Sequence, residues 1–205
     1  MTNVFSFKRW NSVLAFIILS VSVSAQVSDY WMKDGGALFT LGMGYEVMPD
    51  TYSSKGFCLD FGVRFYTTNR LFYELTARWG THDGDKEVMQ DASLARIHDQ
   101  RDCLIGAVGA GYEFFQTQNS LIDIYVKGLL GYGVRKDKYD DYRVGENGHT
   151  SITLGCEKSK KGLAAIAGIG LDVRFRQFTF TPSIDVIYVG RKFNTAFKVA
   201  VGVFY

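Results

Sequence analysis

His82, His98 and His149 are the side chains best suited to proton transfer near neutral pH, and each stands beside a possible partner. In His149-Thr150-Ser151 a one-residue gap would put a general base and a hydroxyl nucleophile on one face of an extended strand. Glu146 or Glu157 could orient the imidazole as a third member. His82-Asp83 and His98-Asp99 could form acid–base pairs or hold a metal, although histidine and aspartate in polar segments are ordinarily just solvated. The acidic stretch 137–146 lacks the spacing of a calcium loop, and Lys136, Lys138 and Arg143 offset its charge. Cys58, Cys103 and Cys156 are an odd number, so one chain cannot pair them all. Cys103 and Cys156 either pair or all three remain thiols, and none stands in a metal-binding pair. No cofactor or metal is expected.

The elements that would carry these groups start with an export signal. Lys8 and Arg9 precede an unbroken apolar run over 13–19, and Val23-Ser24-Ala25 supplies small residues at signal-peptidase spacing. Residues 1–25 therefore read as a cleaved signal peptide. The run falls short of the ~20 residues a membrane helix needs, and Ser20, Ser22 and Ser24 interrupt its tail. No cysteine near the cut points to a lipid anchor. Removing Lys8 and Arg9 from 23 basic residues leaves as many bases as the 21 acids, a balance that does not point to nucleic acid.

Residues 26–205 read as one domain. With 22 Gly, 15% aromatic residues and only 2 Pro, the composition is that of long strands. Apolar and small or polar residues alternate with period 2 over 36–47, 55–66, 70–80, 102–115, 120–134, 162–175, 177–189 and 193–205. That period is the strand signature, and the lengths suit tilted strands that cross a bilayer. Short connections (67–69, 116–119, Arg176) alternate with a second series holding two long, charged loops, 81–101 and 135–161. The remaining members of that series, 48–54 and 190–192, are short. Short turns on one rim and long loops on the other suit an outer-membrane barrel.

One face of each run is apolar, with aromatic residues at its ends. One rim would hold Phe39, Phe65, Tyr73, Phe114, Phe175, Phe178 and Tyr205, the other Tyr45, Phe57, Trp79, Tyr132, Tyr188 and Phe193. Two aromatic girdles around an aliphatic band mark a lipid-facing surface. The opposite face is read as small or charged: many glycines, the acids Glu46, Asp60, Glu74, Glu113, Asp123, Asp172 and Asp185, and the bases Arg64, Arg78, Lys127, Arg174 and Lys198. An eight-stranded barrel leaves room inside for little more than side chains, so these charges should pair across the lumen. Tyr125 and the same charges would line a conduction path only if the barrel were open. The expected fold is all-β, an eight-stranded antiparallel up-and-down transmembrane β-barrel. A soluble lipocalin-like barrel would reverse the faces, but it has no use for two aromatic rims, and Asp29-Tyr30-Trp31 is a poor substitute for the Gly-x-Trp of that family.

The closing segment 197–205 carries Val199, Val201, Val203 and Tyr205 on one face. It resembles the C-terminal strand signal of outer-membrane proteins, with Tyr in place of the usual Phe. With the export signal and eight runs, the chain resembles small outer-membrane β-barrel proteins of the OmpX and PorT-like type. The resemblance covers nearly all of 26–205, and it is one of pattern. It implies folding by the barrel-assembly machinery in a Gram-negative outer membrane, with periplasmic termini. His149-Thr150-Ser151 also resembles the His-x-Ser spacing of lipid A deacylases, which would make the chain an outer-leaflet lipid A hydrolase. The favoured expectation is non-enzymatic: a structural and interaction barrel in contact with membrane lipids and lipopolysaccharide. It would offer 81–101 and 135–161 to an envelope or surface partner. A narrow solute channel is a further alternative, and PorT-like members suggest a part in secretion or envelope assembly.

Overall fold

A computed structural model describes residues 36–49, 56–67, 70–90, 93–117, 121–144 and 150–205. The expected signal peptide, with Glu146 and His149, lies outside them. Eight antiparallel strands close into one barrel in sequence order. They are β1 (Ala37–Val47), β2 (Gly56–Tyr66), β3 (Leu71–Gln90), β4 (Ser93–Gln116), β5 (Ile122–Val144), β6 (Thr150–Phe175), β7 (Phe178–Val189) and β8 (Lys192–Phe204). β1 and β8 close the ring in continuous register from Leu38↔Phe204 to Val47↔Thr195. No helix among the described residues is long and apolar enough to cross a membrane, and the barrel crosses with strands.

Two-residue turns close the last hairpins. Gly190 and Arg191 both take positive φ (58° and 68°), the requirement of the turn whose twist matches a hairpin. At the other rim Arg176 is held at φ 57° between β6 and β7. Within the β6–β7 ladder the rungs opposite Thr181 and Pro182 are missing, between Gly170↔Ser183 and Val173↔Phe180. Proline has no N–H to donate, and the β8 side of the same strand keeps its register through Pro182↔Val199.

The faces are those of a membrane barrel. Leu41, Leu75, Val108, Leu130 and Val201 point outward and are exposed, whereas Arg78, Asp185 and Glu113 point inward and are 0–2% exposed. Phe57 and Phe65 stand on opposite girdles, eight residues apart on β2. That is about 26 Å along a strand and about 20 Å at the usual tilt, close to the ~25 Å apolar band of such barrels.

Two expectations need correction. The stretches 81–101 and 135–161 are mostly not loops: β3 and β4 stay paired to Gln90↔Ser93, and β5 and β6 to Val144↔Thr150. Outside the bilayer neither face of a hairpin needs to be apolar, and even the buried inward positions hold His82, Asp99, Arg101 and Arg135, so the alternation that marks a strand fades while its ladder continues. Nor is the inward face only small or charged. It carries an apolar cluster at each end, with Leu38, Tyr66, Phe72, Tyr125 and Phe204 at the end holding the C-terminus. The other cluster includes Met48, Ile105, Leu129, Ile166 and Ile187.

Phe72 fills the space over Gly111, where any Cβ would strike its ring. On the lipid face, a Cβ at Gly106 would meet nothing within 4 Å. Gly111→Val should therefore lower stability by about 1–3 kcal/mol through overpacking. Gly106→Ala should leave it unchanged or raised, because alanine restricts the unfolded chain more than glycine does. Urea unfolding in lipid vesicles, followed by tryptophan fluorescence, compares the two.

Candidate functional site

Between its apolar ends the lumen holds stacked layers of ion pairs. Nearest the C-terminal rim, Arg174 reaches Glu113 at 3.2 Å and Asp123 at 3.0 Å and lies over the Phe204 ring at 4.5 Å. Above it, Arg64 bridges Glu74 and Asp172, both at 2.9 Å, with its guanidinium 4.1 Å from the Tyr125 centroid and 5.0 Å from that of Phe72. Lys127 holds the second Glu74 oxygen, and Thr181 donates to Asp172 at 2.6 Å. In the next layer Arg78 faces Glu46 at 2.9 Å and Asp60 and Asp185 at 3.7 Å. Lys198 binds Asp60 at 3.0 Å and Asp185 at 2.8 Å, and the Asn194 amide donates to Glu46. All twelve inward charges named from the sequence are buried here.

Such a lumen is a packed core. In a medium of low dielectric a lone charge is costly, and a pair is tolerated only when its other hydrogen-bonding capacity is met. Each layer pairs its charges by joining strands far apart in sequence, as in the Arg64–Asp172 contact across 108 residues, and leaves Arg174 Nε and Asp185 Oδ1 buried without a hydrogen bond. The rings of Tyr66, Phe72, Tyr125 and Phe204 lie within 5.5–5.7 Å of one another in a chain of contacts that fills one end. A conduction path would have to cross both this plug and the apolar cluster at the other end.

The groups read as catalytic do not converge. Ser151 and Glu157 are both exposed on β6, six residues apart, which is about 20 Å along a strand. In register Ser151 stands across from Arg143, and Glu157 from Lys138. His82-Asp83 and His98-Asp99 split to opposite faces, as neighbours on a strand must. His98 instead pairs across the ladder with Asp85 at 2.9 Å and Asp83 at 3.5 Å. Cys103 stands across from Arg135, and Cys156 from Tyr139, four residues farther up β5. That gap exceeds disulfide reach, and all three cysteines are thiols. No group of three or more metal-ligating side chains occurs among the described residues.

Of the thirteen girdle aromatics, twelve are exposed on the outer wall. Tyr188 is half-buried, with its ring 5.1 Å from that of Phe193.

Beyond the girdle the two long hairpins join into one four-stranded sheet. β4 and β5 stay paired to Asp99↔Tyr139. Asp140 then accepts from the His98 N–H on one side and the Gly155 N–H on the other, both at 2.9 Å. These bonds fall where a bulge shifts the β5–β6 register. The Tyr142 hydroxyl donates to the Met89 carbonyl at 2.7 Å. At the root of the sheet, Arg101 and Arg135 clamp Asp137 at 2.8 and 2.7 Å. Sequence reading missed this sheet. Its only sequence trace is the interleaved Lys, Arg and Asp of 135–143, a pattern that suits a ladder wet on both faces.

A closed barrel with an apolar outer wall, aromatic girdles and a charged, packed interior is an outer-membrane β-barrel protein of a Gram-negative envelope. It is similar to the crystal structure of Ail, the attachment invasion locus protein of Yersinia pestis, in complex with the heparin analogue sucrose octasulfate. The TM-score is 0.55 at 15% identity, over 84% of this chain and 99% of that one. Another crystal structure of Ail gives 0.50 at 11% identity, over 84% and 99%. Identities this low establish the fold alone. No family model matches the chain, and no curated protein matches it.

Arg64→Met should cost about 3–5 kcal/mol, because it leaves Glu74 and Asp172 short of a buried partner. Urea midpoints in vesicles should fall far more for this variant than for exposed Lys136→Met. At the external hairpin, the hydrogen bond that the His98 ring donates to Asp85 holds the His98 pKa above the ordinary histidine value. Its stabilising contribution is therefore complete below the unfolded value of about 6.5 and is lost as pH rises through the higher folded value. NMR titration of the His98 ring should show a raised midpoint, and Asp85→Asn should bring it down.

Proposed function

We propose that the protein is a structural and interaction barrel, anchored by its sealed membrane domain and binding envelope or surface components through the external sheet. The observation that carries this reading is the sheet itself: four strands tied together by Asp140 and Tyr142, standing outside the aromatic girdle. A rigid scaffold that projects strands and turns into solvent is a natural binding element. The packed lumen weighs against a channel. The separation of Ser151 from Glu157 gives a lipid A hydrolase built on His149, Ser151 and Glu157 no support. Export by a signal peptide and folding by the barrel-assembly machinery belong to the same reading.

The chemistry of the sheet favours a polyanionic partner. Lys136, Lys138, Lys158, Lys160 and Lys161 are exposed on the β5–β6 hairpin and outnumber the acids across from them, Asp102 and Glu157, while Asp137 is already held by two arginines. Lys136 and Lys161 stand just beyond Tyr132 and Leu163, at the height of the outer-leaflet headgroups, where the phosphates of lipopolysaccharide lie. The likeness to a barrel solved with a sulfated heparin analogue agrees with that chemistry.

Labelled heparin binding to the protein in phosphatidylcholine vesicles tests the reading. Lys138→Glu/Lys158→Glu/Lys160→Glu should weaken binding at least about tenfold at moderate salt, while heat-dependent migration in SDS still reports an intact barrel. Unchanged binding by this variant would remove the sheet from the role. Lipopolysaccharide added to the vesicles should compete with heparin at the same lysines.

A further inference from the structure

Above the membrane, among the described residues, the sheet has two edges without a further strand. The last rung between β2 and β3 is Gly56↔His82, and the last between β6 and β7 is Ala164↔Val189. β3 runs on to Gln90, and β6 begins as far out as Thr150. Beyond those rungs the described residues supply no further ladder on these two sides. An uncovered edge is a template for another strand.

The two edges are complementary. β3 carries Asp83, Asp85 and Glu87 against Lys86, with Asp83 and Asp85 also facing His98 and Arg96 of β4, while β6 carries Lys158, Lys160 and Lys161 against Glu157. β3 leaves the membrane and β6 returns to it. Copies in one membrane share an orientation, so β3 of one beside β6 of the next is antiparallel. Pairing β3 with β3, or β6 with β6, would be parallel, the less stable arrangement, and would oppose like charges.

The wall below the β6 edge leaves room for a neighbour. A lipid-face depression of about 450 Å³ is lined by Gly128, Leu130, Ala165, Ala167 and Val186. A Cβ at Gly128 would meet nothing within 4 Å, so its own barrel does not require the glycine.

We propose that the protein associates with further copies of itself, the β3 edge of one external sheet adding to the β6 edge of the next. This rests on reading the sheet as the interaction surface and names its partner. The contact joins two different patches, so it propagates into a row or closes into a ring.

Cross-linking in phosphatidylcholine vesicles, without lipopolysaccharide or heparin, tests it. In a Cys156→Ser background, with Cys58 and Cys103 buried, Glu87→Cys and Ser159→Cys variants are treated with a short bis-maleimide. Mixed vesicles should give Glu87–Ser159 cross-links about tenfold above either variant alone. Asp83→Lys/Asp85→Lys in the Glu87→Cys chain should suppress them about tenfold. Lys158→Asp/Lys160→Asp in the partner chain should restore them, which a misfolded variant would not allow.

Equal yields from mixed and single variants, or cross-links appearing only when lipopolysaccharide is added, would overturn the proposal. Heparin binding measured on the same vesicles separates the two readings. If it persists without specific cross-links, self-pairing fails and the interaction surface stands. If it is lost as well, both fail.

Discussion

Inside a bilayer no water is present to satisfy a backbone N–H or C=O, and this single constraint organises the molecule. It requires every strand to have two neighbours, so β8 must return to β1, and the Leu38↔Phe204 to Val47↔Thr195 ladder is that closure. Once the wall is closed, its outer side chains are dictated by lipid and its inner ones by a space only wide enough for side chains. Where the wall leaves the membrane the constraint lapses. There, among the described residues, β3 and β6 have a ladder on one side only.

The interior follows from closure. Residues that face inward must share a narrow cylinder, and they do so in alternating kinds: aromatic and aliphatic at the ends, interlocked charges between. Arg64 shows why the kinds are neighbours. Its guanidinium satisfies Glu74 and Asp172 through its N–H edges and rests its face on Tyr125. One side chain thus joins a charged layer to an apolar one with little of its surface unmatched.

Most of the membrane part was legible in the sequence because lipid imposes a strict period. The runs 36–47 and 193–205 fall within a residue or so of β1 and β8. The two regions that escaped did so for physical reasons. In 81–101 and 135–161 the inward residues are themselves mostly polar, with His82, Asp99, Arg101 and Arg135 buried, so a ladder leaves little amphipathic trace. At the C-terminal rim, inward Tyr66 and Phe72 sit next to outward Phe65 and Tyr73. With aromatic residues on both parities, the plug merges into the girdle when read as letters. The candidate triad failed differently. A spacing of one residue describes a local face, whereas Glu157 had to arrive from elsewhere, and the β6 ladder keeps it far along the same strand from Ser151.

Lys198 lies on the last strand to be made, yet it neutralises Asp60 on the second and Asp185 on the seventh. A barrel without its eighth strand would therefore leave Asp60 and Asp185 with the longer 3.7 Å contacts to Arg78. Such an intermediate is penalised twice, by an unpaired edge and by incompletely compensated charge in the lumen. Completion of the wall and neutralisation of the interior become the same event. This makes the finished barrel sharply distinguishable from any nearly finished one.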